Sequence, residues 1–152
     1  MSTKNSEVLI RAKEILNTPG TWIRYRMYDL GRIPASDPRS WEQPDEACNI
    51  AAASDLAVNH KRGQHCLLGA IHVASSELST SANETCDLLH NIAPQVAIHH
   101  GKPLDMGKRK QYKRNRHHNA AWFNNTADSL DEINDLLCEG IKQAVEKETT
   151  DE

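Results

Sequence analysis

Apolar residues recur at helical spacing along several stretches of the chain. From 6 to 17 they fall at Val8, Leu9, Ala12, Ile15 and Leu16, which predicts an amphipathic helix. "NTPG" at 17–20 ends it, since Pro and Gly both stop helices. The period then changes. In "TWIRYRMYDLGRIP" at 21–34, Trp22, Arg24, Arg26 and Tyr28 alternate with Ile23, Tyr25 and Met27, and "DLG" reads as a turn. A short β-hairpin is predicted there. A Pro- and Ser-rich loop follows at 34–44. Pro44, with Asp45 and Glu46 behind it, suits the start of a second helix running to about 58. A third helix is predicted over 65–78, with Leu67, Ala70, Ile71 and Ala74 inward. "SANE" at 81–84 is a capping box with Ser81 as N-cap, opening a fourth helix that ends near Pro94. "SLDE" at 129–132 is a second box, with Ser129 as N-cap of a last helix burying Leu130, Ile133, Leu137, Ile141 and Ala144. The expected fold is mainly α: one compact domain over 1–152, of about five helices, with a small β-hairpin near the N-terminus.

Composition sharpens this picture. At 152 residues the chain suits one domain that needs no disulfide or metal staple to fold. The hydrophobic share is 38% with a single Phe, so the core must rest on Ala, Leu, Ile and Val. The four Cys stand singly, which reads as reduced thiols in an intracellular protein. The first residues lack the apolar stretch of a signal peptide, and no run is long and apolar enough to span a bilayer. The expectation is a cytoplasmic protein without membrane contact.

Net charge is −3, but it hides a strong polarity. Residues 102–116 hold seven cations (Lys102, Lys108, Arg109, Lys110, Lys113, Arg114 and Arg116) against Asp105 alone. From 128 onward nine acids face only Lys142 and Lys147. The basic stretch reads as a loop inserted at about 101–118. Cations interleaved with Tyr112 and followed by Trp122 and Phe123 follow the logic of single-strand nucleic-acid binding: cations meet phosphates and rings stack on bases. A solvated loop, or one lying on the acidic last helix, is the plainer alternative. The 21–34 stretch offers a second surface, since Trp22, Arg24, Arg26 and Tyr28 are of the residue types that dominate interface hot spots. They equally suit the covering of a thin Ala-rich core.

Cys66, at the start of "CLLGAIHVA", is the candidate nucleophile. A helix N-terminus lowers a thiol's pKa. His99, His100, His117 or His118 and then Asn119 or Asn124 follow in the order of a Cys-His-Asn hydrolase. Against this, small residues at 66, 70 and 74 make a packing stripe. Cys66 therefore reads as a core residue, and Cys66→Ser is expected to destabilise. His60, His65, Cys66 and His72 lie close in sequence, and Cys86 and His90 share a helical face, yet no zinc signature is present. The expectation is no metal, no other cofactor and no catalytic residue.

The order "GTWIRYRMYDLGR", "HCLLGAIHVA", "AAWFNN" and a capped Leu-rich helix resembles a family of short proteins from actinobacteria and bacteriophages, catalogued as a domain of unknown function. Trp22, Asp29 and Gly31 fit its first block. Cys66, Gly69 and Ala70 fit the second, with His65 where Trp is usual. Trp122 and Asn124 fit the third, with one extra residue between them and Asn125 where Asp is usual. Residues 34–60 and the basic stretch lie outside the likeness and look like insertions. The resemblance implies phage or bacterial origin and carries no activity. The expected function is that of a non-catalytic phage or prophage accessory protein binding a host macromolecule, most simply a host protein. Its binding residues would be Trp22, Arg24, Arg26, Tyr28, Lys108, Arg109, Lys110, Lys113, Arg114 and Arg116. The alternatives are a nucleic-acid-binding module using 102–116 and a Cys-His hydrolase centred on Cys66.

Overall fold

A computed structural model describes residues 4–22, 65–102 and 117–150. Five helices occupy them: α1 (Asn5–Asn17), α2 (Leu67–Glu77), α3 (Asn83–His99), α4 (His118–Thr126) and α5 (Leu130–Thr150). The helix expected to end near 58 and the hairpin beyond Trp22 lie outside the described residues, as do Arg24, Arg26, Tyr28 and the cations from Lys108 to Arg116. No strand exists among the described residues. In place of a hairpin partner, Trp22 forms a single parallel bridge with His65, and the His65 N–H donates to the Thr21 carbonyl at 2.8 Å.

The core forms where α1 packs on α2 and α5, and α3 packs on α4 and α5. Leu9, Leu16, Leu67, Ile71, Leu89, Ile133, Leu136 and Leu137 are its largest fully buried apolar side chains. Gly140 lets the helices meet closely. A Cβ there would stand 2.9 Å from Leu89 Cδ2 and 3.3 Å from Leu9 Cδ1. Polar ties hold the rim. Ser6 donates from both its backbone N–H and its hydroxyl to the Glu148 carboxylate, and Arg11 Nε donates to Glu77 at 2.6 Å.

Two boundaries and one capping bond differ from expectation. First, α3 continues through Pro94 to His99. Proline removes the bond to the carbonyl of residue 90 and ordinarily costs about 3 kcal/mol inside a helix. Here Asn119 Nδ2 donates to the His90 carbonyl at 3.1 Å in its stead. The true stop is Gly101, left-handed at φ 71, where Lys102 N–H reaches Ala97 O and Gly101 N–H reaches Ile98 O. That paired pattern is the Schellman ending that glycine favours. Second, α3 starts at Asn83 with Ala82 in the capping position, although Ala82 already has helical torsions. The Ser81 hydroxyl accepts from the Asn83 N–H at 3.3 Å, so Ser81 caps the turn from just outside the helix. Third, α5 begins after Ser129 as expected, but the Glu132 carboxylate accepts from the Asp128 N–H, one residue earlier than the box predicts. Helix α4 was not foreseen at all.

Candidate functional site

Cys66 is the N-cap of α2, one residue before the first helical turn. Its sulfur accepts from the Gly69 N–H at 3.3 Å. Burial pushes the thiol up to about 11, outweighing the backbone N–H groups of Gly69 and Leu68 that pull it down. The helix terminus therefore acts in the expected direction and loses to desolvation. Almost none of this sulfur is thiolate at neutral pH, and the thiolate is the nucleophile. Cys66 is half-buried and serves as a cap, so it is less enclosed than a core residue, while Cys86 is fully buried. A cap position accepts a hydroxyl as well as a thiol, so the capping geometry argues for a smaller cost of Cys66→Ser than a core site would carry.

The three blocks of the family likeness meet at Asn124. This residue is 2% exposed, and its Oδ1 accepts from the Trp22 indole N–H at 2.8 Å and from the Leu67 N–H at 3.0 Å. One buried amide thus holds the end of the first segment against the N-terminus of α2. Trp22 itself is only part-buried, with its indole N–H turned to this internal bond.

A histidine cluster lies where α2, α3 and the start of α4 approach. His117 Nε2 stands 2.8 Å from Asp87 Oδ1. The His90 and His118 rings meet edge to face at 4.6 Å between centroids, and the Asn119 N–H donates to His90 Nδ1 at 3.2 Å. Burial and the neighbouring imidazoles hold His90 and His72 below the ordinary histidine range. Among the described residues no group of three or more His, Cys, Asp or Glu side chains is placed to hold a metal. Sequence reasoning considered His117, His118 and Asn119 as partners for Cys66. Asn119 instead serves the carbonyl freed by Pro94, and His117 serves Asp87.

This cluster fastens one end of the basic stretch, and Lys102 fastens the other. Lys102 Nζ donates to Glu132 at 2.9 and 3.1 Å and to the Thr126 carbonyl at 3.2 Å, and it pairs with Asp128 at 2.7 Å. Burial opposes ionisation of Glu132, but Lys102 and the Asp128 N–H outweigh it and hold the carboxyl below its ordinary range. The most basic part of the sequence is therefore bracketed by two anchored residues.

A groove of about 600 Å³ lies between α3 and α5. His99 at the end of α3 and His100 just past it line the groove, with Asp135 and Glu139 from α5, and the buried Ile92 and Val96 supply its apolar part. His100 Nε2 pairs with Asp135 Oδ2 at 3.1 Å. Local spacing does not reveal this groove, because the two helices meet through tertiary packing.

No described helix is long and apolar enough to cross a membrane. One family model matches the chain, over residues 1–143, a span that includes both 34–60 and the basic stretch. It is described as a family of unknown function (DUF6197). No curated protein and no solved structure matches the chain.

Proposed function

Because the chain belongs to the DUF6197 family of unknown function, we propose its role from its own geometry: a non-catalytic accessory protein of phage or prophage origin that binds a host macromolecule in the host cytoplasm. The observation that carries this reading is that both stretches with the composition of a binding surface adjoin, in sequence, residues anchored in the bundle. The stretch bearing Arg24, Arg26 and Tyr28 follows Trp22, whose indole is tied to Asn124. The stretch bearing Lys108, Arg109, Lys110, Lys113, Arg114 and Arg116 runs from Lys102 to His117, each paired to a carboxylate. Binding residues are commonly carried on segments held at their ends by a packed scaffold. The protonated, capping thiol of Cys66 weighs against the hydrolase.

The partner favoured is a host protein, because Trp, Tyr and Arg concentrate near residue 22. A second reading, nucleic acid or another polyanion, draws on the charge of the basic stretch and the anchoring of its two ends. One experiment separates them. Tagged protein is used to capture partners from bacterial lysate with and without nuclease, as wild type, with the six cations from 108 to 116 replaced by Ser, and with Arg24, Arg26 and Tyr28 replaced by Ala. A partner retained after nuclease and lost in the Ala variant supports a host protein. Loss on nuclease treatment and in the Ser variant supports nucleic acid. Capture of the same material by wild type and both variants would overturn the proposal.

A further inference from the structure

Helix α4 has no side-chain cap of its own, since His117 at the capping position makes no such bond. The first N–H groups of any helix lack a partner within it. For α4 the cap comes from α3. The Asn119 N–H donates to His90 Nδ1 at 3.2 Å, while Asn119 Nδ2 reaches the His90 carbonyl. A backbone N–H can only donate, so Nδ1 keeps its lone pair, and the ring is neutral with its proton on Nε2. This imidazole is thus an N-cap in one protonation state only. Charging it would set a donor against a donor and a cation at the positive end of the helix dipole.

The surroundings oppose that charge. His118 meets the His90 ring edge to face at 4.6 Å between centroids, and His117 also acts on it from α4. Asp87, one turn back on α3, faces the ring with the opposite sign, and it already accepts from His117 at 2.8 Å. From α2, His72 lies near His117. Among the described residues, α1 and α5 place no charged group against His90. Burial first, then His118 and His117, hold His90 below the ordinary histidine value of 6.5, against the pull of Asp87.

We infer that His90 is a pH-sensitive latch: neutral, it caps α4 and holds its first turn against α3; protonated, it lets that turn go. The Asp87 bond to His117 does not share this sensitivity, because a ring N–H donates in either charge state. Because His90 titrates lower in the folded chain, the latch contributes fully above pH 6.5 and is lost as pH falls through the folded value. The helix it governs also carries Asn124, which holds Trp22 and the start of α2. The inference goes beyond the proposed function, since it concerns the frame alone and needs no partner.

The test is NMR of the full chain between about pH 5 and about pH 8, the range in which histidine titrates. Ring-nitrogen shifts of His90 should show an unprotonated Nδ1 at the upper end and a titration midpoint below 6.5. Amide exchange, corrected for its intrinsic pH dependence, should show α4 protection falling about three- to tenfold as His90 titrates, while buried amides of α1 and α5 keep theirs. His90→Asn sets an uncharged acceptor near the Nδ1 position and should abolish the fall. His99→Asn, at an exposed histidine on the same helix, should leave it intact. Should His90→Asn not fold, the wild-type titration still decides. A His90 Nδ1 protonated at the upper end, α4 protection that stays flat while His90 titrates, or equal losses in every helix would each overturn the inference. So would a fall that persists in His90→Asn, which would assign it to His72, His117 or His118.

Discussion

Replacing Asn124 by Ala removes an oxygen shared by two donors. The Leu67 N–H sits at the start of α2 on a residue with no exposed surface, so it finds no water in exchange. An unsatisfied buried donor costs about 1–3 kcal/mol. The Trp22 indole N–H is part-buried, and its lost bond adds about 0.5–1.5 kcal/mol. The expected loss is about 2–4 kcal/mol, a large share of the roughly 5–15 kcal/mol that holds a domain together. It should lower Tm by roughly 5–15 °C at this chain length. Trp22→Phe removes one donor and leaves the Leu67 bond in place, so it should cost about 1 kcal/mol. The two changes share a bond that can be lost only once, and the double variant should fall short of additivity by about 1 kcal/mol. Urea unfolding followed by far-ultraviolet circular dichroism measures all three. An Asn124→Ala variant within about 1 kcal/mol of wild type, or strict additivity, would refute the claim that this amide joins the segments.

Other outcomes follow from single contacts. Cys66→Ser should stay within about 1 kcal/mol of wild type while Cys66→Ala loses about 1 kcal/mol, because the cap needs an acceptor; the reverse order in thermal melts would contradict the capping role. Thiol labelling of folded protein near neutral pH should modify the exposed Cys138 well before Cys66, whose thiol lies near 11. Asn119→Ala should cost about 1–2 kcal/mol, and less in a Pro94→Ala background, where a restored N–H can meet the His90 carbonyl; equal costs in the two backgrounds would count against that pairing. Ser79, left-handed at φ 56, should gain roughly 0.5–1 kcal/mol on replacement by Gly. Glu132 is held below its ordinary value of 4.5, so its contribution is present above that pH and lost as pH falls through its folded value. Glu132→Gln should therefore flatten the acid limb of the stability profile below about pH 4.5, and an unchanged limb would refute the Lys102–Glu132 anchor.

Helices α1 and α5 were legible because one apolar stripe does all the inward packing and their stop or start signals stand alone. The end of α3 was misread because Pro94 outranked Gly101. A proline's cost is local, whereas its relief comes from Asn119, which is distant in sequence. Helix α4 was missed because "HNAAWFNNT" has little amphipathic pattern. It is fixed by burial of Ala120, Phe123 and Asn124 against other elements. The Cys66 environment was half legible: its place at a helix start and its packing stripe could be read, but the balance between burial and the helix terminus that sets its pKa depends on the whole fold. Trp22 and Asn124 were both noticed as motif members, yet nothing in their spacing shows that one bonds the other. The Asp87–His117 pair was invisible for the same reason.

The most direct test of the proposed role is a hydrogen–deuterium exchange footprint of the protein alone and with the macromolecule it captures from lysate. The expected result is slowed exchange in residues 23–32 or 103–116, with the buried amides of α1 and α5 unchanged. Slowing centred on Cys66 and the first turn of α2 with neither stretch affected, or no change anywhere, would contradict a binding protein that presents these segments from an anchored frame.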